Sequence, residues 1–275
     1  MFTFGKIKRY RSHFKNWITV ILHVQLKKLP ILVKYRDGTT QKIYCYNQLV
    51  DVSHGFKFSY WNDKNSIVFN FRGKELKFHN VCDNGSLGDV FVQNELDSLS
   101  VGDKDVLDIG ANIGDSAIFF ALKGAKRVIA VEPFPSTFEA LLMNIKENNF
   151  QDVITPRNYA VSNEQGSIKL SNRVVNSVGT MAKSQNEGTI IPTFTLRDIV
   201  EEFSLSSFIL KMDCEGCEYE VLDTISETLS ERISEIFVEY HDTPRNIPKI
   251  LQDMSFEINV YKKSEKMGLI HGKNK

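Results

Sequence analysis

The chain lacks an excess of charge of either sign: Lys+Arg and Asp+Glu each number 34 in 275 residues. A neutral chain has no global field to gather polyanions, so bulk nucleic-acid binding is not expected, and only a local patch would serve it. Cysteine is scarce. Cys45, Cys82, Cys214 and Cys217 are too few for a disulfide scaffold at this length, and a reducing cytoplasm is the expected compartment. Long apolar runs are missing too. The run from Trp17 to Val24 is about a third of what a membrane-spanning helix needs. It follows a basic opening, "MFTFGKIKRYRSHFKN", but no small-residue cleavage site comes after it, so a signal peptide is not expected. Two readings of residues 1–25 stand: an amphipathic segment lying on an anionic membrane, and a helix docked on the protein with a solvated basic face. The second is favoured, which leaves peripheral membrane contact the weaker expectation. There are no repeats and no low-complexity tract. Hydrophobic residues at 42% and charged residues at 25% are ordinary globular usage and exclude wholesale disorder.

Two regions differ in pattern, with the boundary placed at residue 90. In residues 1–90, a β-rich accessory region, "ILVKY" and "QKIYCYN" flank Arg36-Asp37-Gly38 as a hairpin. "SIVFNF" and "ELKFHN" flank a second turn at Arg72-Gly73, with Tyr60 and Trp61 expected to pack on its apolar face. In residues 91–275, strands alternate with helices. "DVLDIG", "RVIAVEP", "FILKMD" and "EIFVEYH" read as strands. "DSAIFFALK" reads as a helix stopped by Gly124, and Ser136-x-x-Glu139 and Thr195-x-x-Asp198 read as helix caps. Residues 171–192 look irregular. "FEINVYKK" and "MGLIH" form a hairpin-like pair that suggests one antiparallel strand at the sheet edge. The alternation predicts an α/β fold, a Rossmann-like, mostly parallel sheet covered on both faces.

In such sheets ligands bind beyond the carboxyl ends of the strands, where strand order reverses. The first strand is followed by "VLDIGANIGDS", with Asp108, Gly110, Asn112 and Gly114. This is not a G-x-G-x-x-G turn. Asp108 would repel a pyrophosphate and would suit a ligand carrying an amino group or a sulfonium. The next strand ends in Glu132, at a distance suited to accepting hydrogen bonds from ribose hydroxyls. Together these residues suggest S-adenosylmethionine.

From "VLDIGANIGDSAIFFALKGAKRVIAVEPFPSTFEALLMNIKENN" through "NYAVSNEQGSIKL" and "FTLRDIV" to "FILKMDCEGCEYEVL", the chain resembles the FkbM family of class I methyltransferases. The resemblance implies a seven-stranded Rossmann-like sheet and S-adenosylmethionine as cofactor. It implies O-methylation of a hydroxyl on a sugar, glycan or small metabolite. It also places Asp108, Gly110 and Gly114 on the methionine and ribose part of the cofactor, Glu132 on the ribose and Ala160–Val161 near the adenine. Asn112, Pro133 and Asp213 are counted with these cofactor residues.

The cysteines of "KMDCEGCEYEVL" have no second C-x-x-C and no His-x-His partner, so zinc or redox chemistry is not expected there. They fall at the variable positions of the family's K-x-D-x-E-G-x-E pattern, which Lys211, Asp213, Glu215, Gly216 and Glu218 match. Glu218 is read as a structural acid at a helix start. The next strand ends in Glu239 and His241, matching the family's E-x-H, and alternation puts them on one face. Asp213, Glu215, Glu239 and His241 are the candidate catalytic residues. Either His241 or Asp213 acts as general base, or Asp213, Glu215 and Glu239 hold a divalent ion that activates the hydroxyl. The other readings are an RNA methyltransferase, disfavoured by neutral charge, and a non-catalytic cofactor-binding module. The acceptor and the oligomeric state are not written in the sequence.

Overall fold

The computed structural model describes residues 4–82, 87–170, 188–214, 216–241, 246–262 and 267–275. The chain divides into two compact units, Met1–Glu95 and Leu96–Lys275.

The first unit opens with two helices, α1 (Phe4–His13) and α2 (Trp17–Gln25), docked through buried Tyr10, Phe14 and Val20. Strands β1 (Ile31–Lys34) and β2 (Thr40–Ile43) form the expected hairpin. Asp37 closes its turn by accepting the Thr39 N–H at 2.8 Å. Alternation along β1 buries Ile31 and Val33 and exposes Leu32 and Lys34. After β2 the chain departs from the all-β expectation and enters α3 (Tyr46–Ser53). The buried side chains Leu49 and Val52 stand three apart, a helical spacing, just past the stretch "QKIYCYN" read as a strand. Tyr60 and Trp61 do more than pack on the second hairpin. They lie in β3 (Ser59–Trp61), which pairs with β4 (Asp63–Phe71), itself paired with β5 (Lys74–Phe78). A short helix, α4 (Leu87–Phe91), follows.

The second unit runs β6 (Asp105–Ile109), α5 (Asp115–Leu122), β7 (Arg127–Val131), α6 (Pro135–Glu147) and β8 (Ile154–Arg157). Then come β9 (Ala160–Val161), β10 (Gly166–Leu170), β11 (Thr189–Phe194), α7 (Leu196–Glu202) and β12 (Phe208–Met212). It closes with α8 (Glu218–Leu222), α9 (Glu227–Ser230), β13 (Ile233–His241), α10 (Ile247–Asp253), β14 (Phe256–Lys262) and β15 (Met267–Asn274). Seven strands form one sheet in the order β14-β15-β13-β12-β6-β7-β8. Only β15 runs antiparallel to its neighbours. It is not the edge strand that the sequence suggested: α10 carries the chain out to β14 at the edge, and β15 returns between β14 and β13. The α/β, Rossmann-like fold with a mostly parallel sheet and a β-rich N-terminal region is thus observed. Strands β6 and β12 are buried along their whole length, as strands covered on both faces must be. One face packs Leu107, Ile109, Leu210 and Met212 against Leu196 of α7 and Val221 of α8.

Three local expectations change. Helix α6 starts with Pro135 in its first turn, where a missing N–H costs nothing, so Ser136 lies inside the helix and does not cap it. Thr195 and Asp198, in contrast, form the reciprocal cap that their spacing predicted. Part of the stretch read as irregular is β11, paired with β9 and β10, while residues 171–187 lie outside the described residues.

The cysteines require a correction. Cys45 is joined to Cys82 and Cys214 to Cys217, and none is left free. Sparse cysteines can pair when the fold brings them together, and α3 and the end of the β4–β5 hairpin do so for Cys45 and Cys82. The expectation of a reducing compartment rested on four cysteines being too few for disulfides, and the two pairs remove that ground. Among the described residues no helix is long and apolar enough to cross a membrane. Thiol titration of unreduced, denatured protein should detect no free thiol, and four should appear after reduction. Four thiols without reductant would contradict the pairing.

Candidate functional site

The strand order reverses between β6 and β12, and the site forms at their carboxyl ends. After Ile109 the chain turns sharply. The Gly110 and Ala111 N–H groups both donate to the Val131 carbonyl, at 3.0 and 2.9 Å. Gly110 has φ +79°, and a Cβ there would stand 1.9 Å from the Asp213 carbonyl oxygen. The close approach of the two strand ends therefore requires glycine on backbone grounds. Asp213 is held from the other side, its N–H donating to the Ile109 carbonyl at 3.0 Å. Asn112 also lies in the left-handed region, at φ +50°.

Glu132 ends β7 beside this turn. Its carboxylate accepts the Asn112 N–H at 3.0 Å and the Phe134 N–H at 2.9 Å, one on each oxygen. Each oxygen keeps a lone pair for a further donor. Burial pushes Glu132 up to about 7, against the pull of those two N–H groups. Asn158 donates to the carbonyls of Glu132 and Pro133, at 2.9 and 3.2 Å. It thereby ties the segment leading to Ala160 and Val161, both buried, to the end of β7.

Asp108 does not face an open ligand space. It is 0% exposed, with the Lys211 ammonium 3.1 Å away and the Ser116 hydroxyl donating at 2.6 Å. The positive group it meets belongs to this chain. Lys211, on β12 directly opposite Asp108 in register, also donates to the Gly110 carbonyl at 2.9 Å. Burial alone would lower the Lys211 pKa, but Asp108, Asp213 and Asp115 outweigh it and raise it above the ordinary lysine value. One lysine thus serves three carboxylates. Burial pushes Asp115 up to about 7, with Lys211 opposing and Asp108 adding to the rise. The surplus of acid favours a ligand that brings positive charge.

The sequence matched Lys211 to a motif without giving it a role, and it passed over Asp115, Ser116 and Asn158. A lysine inside the apolar strand "FILKM" was itself a signal, because a buried ammonium needs a partner. Glu218 is fully buried and accepts the Cys214 N–H at 3.1 Å, closing the loop that Cys214 and Cys217 cross-link. Glu239 follows the register pair Met212–Val238 on β13, level with Asp213. His241 is the last residue of β13, opposite Met267; its side chain and all of Glu215 lie outside the described residues. Among the described residues no group of three or more His, Cys, Asp or Glu could hold a metal ion.

Gly110→Ala should separate the ends of β6 and β12, because the clash is with backbone and no rotamer relieves it. A loss of about 3 kcal/mol in urea unfolding is expected from strain of this kind. A variant as stable as the wild type would show that the turn is not held as described.

No curated protein matches the chain in sequence. Among solved structures it is similar to a Pyrococcus horikoshii transferase, with 16% identity over 93% of this chain and 96% of the other and a TM-score of 0.47. It is also similar to Aeropyrum pernix fibrillarin in complex with S-adenosyl-L-methionine, with 14% identity over 88% and 92% and a TM-score of 0.44. Against the tRNA m1G37 methyltransferase of M. jannaschii, identity is 14% and TM-score 0.42; the match covers 77% of this chain but spans only 57% of that one. The family model described as the methyltransferase FkbM domain matches residues 108–261, which is more than half of the chain. The turn after β6, the acid ending β7 and the acids after β12 all fall inside that match, and the chain belongs to the FkbM family of methyltransferases.

Proposed function

We propose that this S-adenosylmethionine-dependent methyltransferase transfers the methyl group to a hydroxyl oxygen of a sugar, glycan or small metabolite. The observation that carries the reading is the acidic surplus at the carboxyl ends of β6 and β12, where Lys211 pairs with Asp108 and also feels the charges of Asp213 and Asp115. The residues fit the cofactor. Glu132 keeps lone pairs for ribose hydroxyls, Gly110 lets the ends of β6 and β12 close on each other, and a sulfonium and an ammonium would offset the negative charge.

Bound S-adenosylmethionine supplies an electrophilic methyl group. The chain must hold the acceptor hydroxyl in line and take its proton as the oxygen attacks. Positioning is the larger contribution. Asp213, at the end of β12, and His241, at the end of β13, are the two candidates to receive the proton, and such a base is worth about a hundred- to ten-thousand-fold in rate. Acceptor choice is assigned to residues 171–192 and the N-terminal region.

His241→Ala should lower turnover by at least about a hundredfold while cofactor affinity, set at Glu132, changes little, and Asp213→Ala should lower turnover as far and weaken cofactor binding too, because Asp213 belongs to the acidic group that attracts the cofactor. Undiminished turnover in both would remove the assignment. Glu132 and Asp115 are both raised to about 7, so protons compete with a cationic ligand near neutrality. Ionised carboxylates are the binding form. S-adenosylmethionine affinity measured by calorimetry should therefore rise from about pH 6 to about pH 8, and Glu132→Gln should flatten the rise. An affinity that is flat or falls over that range would count against the site.

A further inference from the structure

The neutral total hides a local imbalance. Nine lysines and arginines precede Asp37, the first acidic residue of the chain. The sequence favoured a docked helix with a solvated basic face over one lying on an anionic membrane. The structure does dock both helices, through Tyr10, Phe14 and Val20, but the outward side of α2 is apolar. Ile18, Leu22 and Leu26 stand four apart, on one stripe, and are 57%, 50% and 61% exposed. The stripe runs on into the turn after α2, where Leu29 is exposed beside Lys27 and Lys28. Asn16, just before α2, bonds the Leu32 carbonyl at 2.7 Å and the Lys34 N–H at 2.8 Å. The start of α2 is thus fixed to β1, whose outward residues are Leu32 and Lys34. A solvated helix would carry polar groups at these positions. Here they are isoleucine and leucine, and Lys27, Lys28 and Lys34 follow in the turn and on β1.

We infer that α2 and the following turn form a docking surface for an anionic lipid bilayer. The apolar stripe enters the boundary between headgroups and acyl chains, and Lys27, Lys28 and Lys34 meet the lipid phosphates. Helix α2 has nine residues, too short to span, so it lies in the plane of the surface. Charge complementarity favours this partner, because the acid-free segment suits a negatively charged surface and the apolar stripe suits one with a hydrocarbon interior. A nucleic acid would match the lysines but would leave the stripe in water. A second copy of the chain would bring a second set of like charges against the first.

The test is sedimentation of the full chain with vesicles of phosphatidylcholine alone and of phosphatidylcholine with phosphatidylglycerol. At least about tenfold tighter binding to the anionic vesicles is expected, weakening as salt is raised. Replacing Ile18, Leu22 and Leu26 together by serine should abolish it. Lys27→Glu with Lys28→Glu, in an exposed turn where folding is not at stake, should weaken it about tenfold. Circular dichroism and the melting temperature should stay unchanged in both. The inference is overturned by absent or lipid-charge-independent sedimentation. It is equally overturned by sedimentation velocity showing a dimer that the serine variant dissociates, or by RNA binding that depends on the lysines in a chain that ignores vesicles.

Discussion

The site depends on one buried ion pair. Lys211 and Asp108 face each other across the β12–β6 step, the step where strand order reverses. Burying either charge alone would be costly, and beyond their ion pair Asp108 accepts the Ser116 hydroxyl while Lys211 donates to the Gly110 carbonyl. Those bonds tie in α5, which carries Ser116, and the turn, which carries Gly110. The turn in turn fixes Asn112, whose N–H holds Glu132. A single buried lysine thus links the two strand ends, the helix behind the turn and the acid on the neighbouring strand.

The same lysine sets the electrostatics. It neutralises one carboxylate of the three around it, and the remaining negative charge cannot leave because the backbone holds it there. Burial, with Asp108 adding to the rise and Lys211 opposing it, makes Asp115 and Glu132 reluctant to ionise. The residues that the sequence marked for contact with the cofactor therefore divide the work. Glu132 has hydrogen-bonding capacity to offer, whereas Asp108 is buried against Lys211 and Ser116.

Much of the second unit was legible in advance. Short apolar strands such as "DVLDI" and "FILKM", each followed by glycine or acid, have few ways to fold other than as a covered parallel sheet, and their ends hold the candidate site. What escaped notice depended on contacts distant in sequence. The placement of β15 inside the sheet, the pairing of Cys45 with Cys82 and the partnership of Lys211 with Asp108 each join residues that no local pattern relates. Local competition explains other misses. Pro135 took the helix start from Ser136, and α3, in which Leu49 and Val52 stand at helical spacing, took over the end of a stretch read as a strand. In the first unit the basic residues were visible in the sequence, but which side of α2 stayed uncovered was not.

The central claim is that Lys211 and Asp108 form one unit on which the strand-end turn rests. A double-mutant cycle tests it most directly, with urea unfolding of the wild type, Asp108→Asn, Lys211→Met and the double variant. Each single change leaves a buried charge without its partner and should cost about 3–5 kcal/mol, whereas the double variant should recover at least about 2 kcal/mol of the summed loss. Strictly additive losses, or a Lys211→Met variant as stable as the wild type, would contradict the account.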